Sequence, residues 1–147
     1  AQNASEAIVM IKSMERHGLW FAEAPVPPED IRGLAQVAAA VHTPVAGGEE
    51  WRSVYDAQAR FDADAVHIVQ PEMGHTGITQ FMRIGLAAQA RHLTIMPHAT
   101  IGAGIFLAAS LQASCALDSV TWHEFQHSIF NRNTNLITAG IECSKGA

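Results

Sequence analysis

The sequence has 147 residues, 48% hydrophobic and 16% charged, which suits one domain with a substantial core and excludes a disordered chain. A net charge of −5 without a basic cluster argues against nucleic acid and membrane surfaces as partners. The two cysteines, Cys115 and Cys143, lack metal-ligand spacing and do not indicate an oxidising compartment, so we expect one cytoplasmic domain over residues 1–147.

The chain opens with a predicted helix and then a short predicted strand. Ser5 is suited to cap the helix, and Gly18 is suited to end it. The first strand is predicted over residues 19–22, and prolines in the next loop end it. Apolar residues at helical spacing then predict a second helix over residues 31–41.

Strands and helices continue to alternate along the rest of the chain. The remaining strands are predicted at residues 44–48, 65–70, 93–96 and 120–123, and the remaining helices at about 53–61, 78–91 and 105–117. The uncharged stretch over 99–117 holds polar residues that favour a buried helix over a membrane span. A polar tail covers about 128–147. This alternation, with nearly continuous apolar strands, predicts a parallel α/β fold with helices outside the sheet.

Each predicted strand runs into an ionisable side chain. In chain order these residues are Glu23, Glu49, Glu72, His98 and Glu124. Their successive separations are 26, 23, 26 and 26 residues. A strand of about 5 residues, a helix of about 12 and two short loops need such a length. Because working residues of parallel barrels sit at the carboxyl ends of the strands, we expect all five on one rim.

Glu23 and Glu49 are the predicted metal ligands. Two acids that point into one mouth repel each other unless a cation lies between them, and oxygen ligands of this kind suit Mg²⁺. Glu50 is the alternative to Glu49, since either could face inward. The other interpretation is an ion pair between these acids and one of the basic residues Lys12, Arg32 and Arg52.

His98 and Glu72 form the predicted acid–base pair. A carboxylate on the neighbouring strand can orient the ring, and a ring held in this way can take a proton from carbon next to a carboxylate. The alternative is a core histidine bonded to a backbone carbonyl. Glu124 could donate a hydrogen bond to the developing enolate if it is protonated, or it could be a rim acid paired with His123 or His127.

Together these motifs resemble the mandelate racemase/muconate lactonizing enzyme branch of the enolase superfamily. The matching segments are residues 21–25, 44–49, 70–72 with 77–79, 97–98 and 123–125. Their order, spacing and neighbouring residues agree with the family over most of the chain. The resemblance implies a (β/α)₇β barrel, Mg²⁺ as cofactor, and proton abstraction next to a carboxylate. It also implies Glu23 and Glu49 as metal ligands, Glu72 and His98 as the dyad, and Glu124 as the final acid.

The sequence departs from the family pattern in two ways. The strand that carries the family's first metal ligand is not found, nor are the earlier strands and the capping domain. Glu72 stands where aspartate is usual. The chain therefore looks like the second half of such an enzyme, a partial TIM-like (β/α) barrel of about five parallel strands with helices outside.

The expected activity follows from the resemblance. We expect an acid-sugar dehydratase or racemase type of enzyme that acts on a hydroxy acid or sugar acid with His98 as base, although this chain alone should be inactive or weak. A second interpretation is a non-catalytic half-barrel remnant, and a third is a small-molecule binding module that uses the same mouth. Unpaired edge strands and apolar faces predict a homo-oligomer.

Overall fold

The computed structural model of the protein describes residues 1–98 and 104–126. Helices and strands alternate along the first segment, and the second contains one helix. The helices are α1 Ala4–Met14, α2 Ile31–Ala40, α3 Val54–Phe61, α4 Met73–Gln89 and α5 Gly104–Ser114. The strands are β1 Ala22–Glu23, β2 Val45–Gly47, β3 Ile68–Val69 and β4 Thr94–Ile95. A short 3₁₀ turn, Glu15–His17, follows α1.

The four strands form one parallel sheet in the order β1-β2-β3-β4. The predicted parallel α/β fold is therefore confirmed. A fifth strand was expected over 120–123, but the described part shows only a single parallel bridge between Ile95 and Val120. Two hydrogen bonds make this bridge: the Ile95 N–H donates to the Ser119 carbonyl at 3.0 Å, and the Thr121 N–H donates to the Ile95 carbonyl at 3.4 Å.

The first strand is shorter than predicted and lies nearer to its acid. It starts at Ala22 rather than at residue 19, because its neighbour β2 begins only at Val45. The Ala22 N–H donates to the Pro44 carbonyl at 2.8 Å, and the Ala24 N–H donates to the Ala46 carbonyl at 3.0 Å. Glu23 is consequently the last residue of β1 rather than the residue after it.

Alternation along the strands divides the core between the two faces of the sheet. Val45, Val69 and Ile95 are fully buried in the larger cluster, which also contains residues of α1 to α5. Ala46, Ile68 and Met96 form a smaller cluster with Phe21 on the opposite face. The helices thus cover one face of the sheet, as predicted. In the described part, no helix is long and apolar enough to cross a membrane.

Two helix starts show how local hydrogen bonds set the boundaries. The N-cap of α1 is Asn3 and not Ser5, because the Asn3 side chain accepts from the Glu6 N–H at 3.0 Å. Ser53 caps α3 through a reciprocal capping box with Asp56, in agreement with the predicted start.

The start of α4 also differs from the prediction. The helix is assigned from Met73, although Gly77 has φ 59° and ψ 173° and interrupts the helical path. The predicted start at residue 78 therefore marks only the second, longer part. The preceding turn is held by Thr76, whose hydroxyl donates to the Glu72 carbonyl at 2.8 Å. This turn places Glu72 directly at the N-cap of α4.

Gly48 brings the end of β2 against the next strand. Its φ is 134°, and a Cβ there would lie 3.0 Å from the backbone nitrogen of Gln70. The close approach fixes the spacing between the ends of β2 and β3. The predicted polar tail over 128–147 lies outside the described residues.

Candidate active site

The five predicted rim residues follow the strands at one edge of the sheet. Glu23 ends β1, Glu49 lies two residues after β2, and Glu124 lies four residues after the bridge at Val120. Glu72 and His98 each lie three residues after their strands, β3 and β4. Because all pairings are parallel, these positions share one edge. The side-chain distances show that the groups also meet there.

His98 is the centre of this cluster. Its ring is buried, with 9% of the residue exposed, and Nδ1 lies 2.9 Å from Oε2 of Glu72. Its backbone N–H donates to the Pro71 carbonyl at 3.2 Å. An ionised carboxylate can only accept, so Nδ1 carries the hydrogen of the contact with Glu72. The ring partners are carboxylates, which contradicts the alternative of a core histidine bonded to a backbone carbonyl.

Nε2 of His98 faces other acids. It lies 2.7 Å from Oε2 of Glu49 and 3.8 Å from Oε2 of Glu124. Of the two candidates at the end of β2, Glu49 is thus the one whose carboxylate reaches the ring. Its side chain is 40% exposed, so this acid stands at the open side of the cluster.

The side-chain amide of Gln70 forms hydrogen bonds with two of the acids. Its Nε2 donates to Oε1 of Glu23 at 2.8 Å and to Oε1 of Glu124 at 3.1 Å. The residue is only 1% exposed, so its amide has no access to solvent as an alternative partner. Glu23, His98 and Glu124 each offer one potential ligand atom within 4.8 Å of the others.

Sequence reasoning did not assign a role to Gln70. Gln70 ends the strand predicted over 65–70 and begins the segment 70–72 that resembles the family. The available signal was a polar side chain at the end of an otherwise apolar strand, a position that becomes buried beside the rim. A buried amide must find partners, and here the partners are the two acids.

Burial and neighbouring negative charge both act on the carboxyl group of Glu23. Burial, and next the charge of Glu124, raise the pKa of the Glu23 carboxyl group above its ordinary value, and Glu49 adds to this. The hydrogen bond from Gln70 and the proximity of His98 oppose the rise in pKa. Three basic residues were proposed as ion-pair partners of Glu23 and Glu49, namely Lys12, Arg32 and Arg52. Within residues 1–98 and 104–126, none of the three forms a salt bridge with either acid.

The ring of His123 contacts the backbone of Glu124 rather than its carboxylate. Its Nδ1 lies 2.7 Å from the carbonyl oxygen of Glu124, and its Nε2 lies 2.7 Å from Oγ of Ser110. Burial lowers the pKa of the His123 ring below its ordinary value. His127, the other expected partner of Glu124, lies outside the described residues.

The arrangement can therefore move a proton at one defined atom. Glu72 holds Nδ1 of His98, and Nε2 points toward a mouth lined by acids. A neutral ring held in this way can accept a proton at Nε2 once Glu49 no longer contacts that atom, and Glu72 stabilises the imidazolium that forms. The surrounding acids provide oxygen atoms for a cation.

Sequence comparison identifies relatives that match nearly the whole chain. The family model for enolase C-terminal domain-like proteins matches residues 1–147. The chain is 34% identical over 146 residues to a D-galactonate dehydratase from Ralstonia pickettii (strain 12J), which covers 99% of this chain and 35% of that protein. The chain thus spans about a third of the length of this curated relative.

Solved structures share the same fold. A protein from Sinorhizobium meliloti, in an open loop conformation, superposes with a TM-score of 0.94 and 63% identity, over 99% of this chain and 38% of that one. A mandelate racemase/muconate lactonizing enzyme-like protein from Rubrobacter xylanophilus gives a TM-score of 0.80 at 26% identity, over 86% of this chain and 32% of that one. The match over the full sequence and these superpositions agree with the motifs at the strand ends, and the chain belongs to the enolase superfamily, in its C-terminal domain-like family with mandelate racemase/muconate lactonizing enzyme relatives.

Proposed function

We propose that this chain supplies the acid–base part of an active site that removes the proton next to the carboxylate of a sugar acid, in a reaction that ends with loss of water. The observation that carries the proposal is the pair formed by His98 and Glu72, 2.9 Å apart at the rim of a parallel sheet. The similarity to a D-galactonate dehydratase supports a sugar acid as the substrate class.

His98 is the proposed base. Its Nε2 takes the proton from the carbon next to the substrate carboxylate, and the electron pair of that C–H bond moves into the carboxylate to form an enediolate. The enediolate then expels the hydroxyl group from the next carbon, which leaves as water with the proton returned by His98. The resulting enol tautomerises to a 2-keto acid, so the substrate loses one molecule of water overall.

Glu72 and Glu49 act on His98 in opposite ways. Glu72 keeps the hydrogen on Nδ1 and stabilises the ring when it becomes charged. Glu49 lies 2.7 Å from Nε2, the atom that has to receive the substrate proton. The proposal therefore requires the partly exposed Glu49 side chain to turn away from Nε2 when substrate enters.

The acids of the rim fit Mg²⁺. The raised pKa of Glu23 reflects burial and repulsion by neighbouring carboxylates, which a cation would relieve. Mg²⁺ prefers oxygen, so Glu23 and Glu49 are the proposed ligands, although the ligand atoms within 4.8 Å of one another are those of Glu23, His98 and Glu124. When bound, Mg²⁺ supplies positive charge that offsets the negative charge developing on the substrate carboxylate.

Glu124 is the proposed hydrogen-bond donor to the enediolate when it is protonated. Its carboxyl group lies on the same side of His98 as Glu49, at 3.8 Å from Nε2. The buried Gln70 amide contacts its other oxygen at 3.1 Å. These contacts support a fixed carboxyl group close to the atom that exchanges the proton.

We further propose that residues 1–147 form one partial (β/α) barrel domain that corresponds to the second half of a (β/α)₇β barrel. The parallel strand order and the helices on one face support this. On the opposite face Trp20 and Trp122 are 59% and 61% exposed, with ring centroids 5.4 Å apart. The homo-oligomer stays a prediction, and sedimentation velocity tests it.

Deuterium exchange tests the proposed reaction. The protein is incubated with D-galactonate and Mg²⁺ in D₂O, and proton NMR follows the α-hydrogen of the sugar acid and the 2-keto product. Because the chain spans only about a third of its relative, we expect the wild-type protein to lose the α-hydrogen signal slowly, and we expect His98→Asn to retain it. His92→Asn is the matched control, because His92 is exposed and has φ 57°, which asparagine tolerates. Exchange that persists in His98→Asn shows that the assigned base is wrong.

A further inference from the structure

The ring of His123 uses both of its nitrogens inside the protein. Nε2 lies 2.7 Å from the hydroxyl of Ser110 on α5, and Nδ1 lies 2.7 Å from the carbonyl oxygen of Glu124. Ser110 is fully buried, so its hydroxyl has no competing water. The ring thus links the middle of a helix to the backbone of a rim acid.

The identity of these partners determines the form of the ring. A carbonyl oxygen can only accept, so the Nδ1 of His123 must carry a hydrogen. The Nε2 of the neutral ring then accepts from the Ser110 hydroxyl, which is free to rotate as a donor. Burial lowers the pKa of His123, which favours this neutral form. Every polar atom of the ring is satisfied in one tautomer and one orientation.

The main chain of Glu124 is held on both sides as a result. Its N–H donates to the Pro97 carbonyl at 3.1 Å, and its carbonyl accepts from the His123 ring. The bridge from Ile95 to Val120 is the last strand-like pairing before this segment in the described part of the chain. Beyond that bridge, the bond to Pro97 holds the N–H of Glu124 and the ring of His123 holds its carbonyl.

We infer that His123, oriented by Ser110, is a positioning residue for the Glu124 carboxyl group. The inference rests on the proposed function, in which that carboxyl group acts beside Nε2 of His98. The carboxyl group lies 3.8 Å from this atom, near the limit for an ion pair. A small displacement of the Glu124 backbone therefore moves the carboxyl group beyond that limit. Neither His123 nor Ser110 touches substrate in this scheme.

Two serine variants on the same helix test the inference. Ser110→Ala removes the hydrogen bond to His123, whereas Ser114→Ala removes an equally buried hydroxyl whose bond is to the Ser110 carbonyl within α5. We expect Ser110→Ala to lower kcat for α-hydrogen exchange by about 10- to 100-fold with little change in KM. Ser114→Ala should leave kcat near the wild-type value, because it does not contact His123.

Substitutions of His123 separate positioning from packing. His123→Asn keeps an N–H close to Nδ1 and should retain more activity than His123→Leu, which keeps volume but no donor. Nitrogen-15 NMR of the wild-type ring should show a protonated Nδ1 and an unprotonated Nε2 and needs no catalysis. An Nε2-protonated ring overturns the inference, and so does an equal loss of kcat in the two serine variants. A wild-type protein with no exchange at all overturns the proposed function instead.

Discussion

Oε2 of Glu72 lies 2.9 Å from Nδ1 of His98, although 26 residues separate them in the chain. One βα unit spans that separation, so the contact joins equivalent positions of adjacent strands. The two side chains are 13% and 11% exposed, which keeps water from competing for the hydrogen bond. The pair is therefore built by the parallel repeat itself.

Glu72→Gln should slow α-hydrogen exchange by at least about 10²-fold with a smaller change in KM. The neutral amide can still accept from Nδ1 of His98, but it does not stabilise the charged ring. The measurement is the exchange rate by proton NMR, with circular dichroism to show that the variant is folded. A rate close to that of the wild type would remove Glu72 from the acid–base pair.

Gln70→Leu should destabilise the protein by about 1–3 kcal/mol at neutral pH, because Glu23 and Glu124 lose their shared donor. Urea denaturation at pH 7 gives the difference. Gln58→Leu is the control, since the Gln58 amide also donates to an acid, Asp62, but at an exposed site. That variant should stay within about 0.5 kcal/mol of the wild type. Equal effects in the two variants would contradict a special role for Gln70.

Glu23→Gln should stabilise the metal-free protein at neutral pH by less than about 1 kcal/mol, because the side chain is partly exposed. The raised pKa of Glu23 means that its contribution to stability is complete below the ordinary carboxyl pKa and is lost as pH rises through the folded-state pKa. The advantage of the variant should therefore vanish in acid. Thermal unfolding in a chelator at pH 7 and at acidic pH tests this, and a destabilised variant at pH 7 would refute it.

Glu15→Gln should have the opposite pH dependence. Oε1 of Glu15 accepts from the N–H groups of Thr43 and His42, and the Thr43 bond is the main cause of the lowered pKa of this carboxyl group. Its contribution is present above the ordinary carboxyl pKa and is lost as pH falls through the folded-state pKa. The variant should thus be less stable than the wild type at neutral pH and equal to it in strong acid.

Urea denaturation across pH measures this difference for Glu15→Gln. Glu29→Gln removes a carboxyl group at an exposed position before α2 and is the matched control for the change in charge. If both variants follow the wild-type profile at every pH, the contacts of Glu15 do not contribute to stability.

Gly85→Ala should destabilise the protein by about 1–3 kcal/mol through overpacking. A Cβ at Gly85 would come within 2.3 Å of Cδ1 of Leu117, at the contact between α4 and the end of the α5 segment. The double variant Gly85→Ala/Leu117→Ala should be more stable than the sum of the single effects, because the smaller side chain makes room. Strictly additive effects in urea denaturation would exclude this clash.

Much of the rim could be predicted because its residues recur at a regular spacing along the chain. The spacing of Glu23, Glu49, Glu72, His98 and Glu124 matches one βα unit, and parallel pairing brings equivalent positions to one edge. The positions of the strands could be predicted from apolar runs and from the spacing of the helices alone. Their exact ends depended on which carbonyls lay opposite, as at Ala22 and Pro44, and no single segment carries that information.

The unpredicted parts of the site come from contacts between distant segments. Gln70 becomes important only because Glu23 and Glu124, 47 and 54 residues away, approach its buried amide. Ser110 lies in an apolar helix pattern, and its hydroxyl gains a partner only when His123 folds against α5. The orientation of Glu49 toward His98 rather than toward Glu23 is likewise a result of side-chain packing.

The strands of this sheet are two or three residues long, and most of the rim groups lie just past them. The residues that form the sheet and the residues of the rim therefore lie in neighbouring but separate stretches of chain. Substitutions in those short connectors would therefore change the rim while the packed interior stays intact. Evolution could in this way diversify reaction outcomes on an almost unchanged frame.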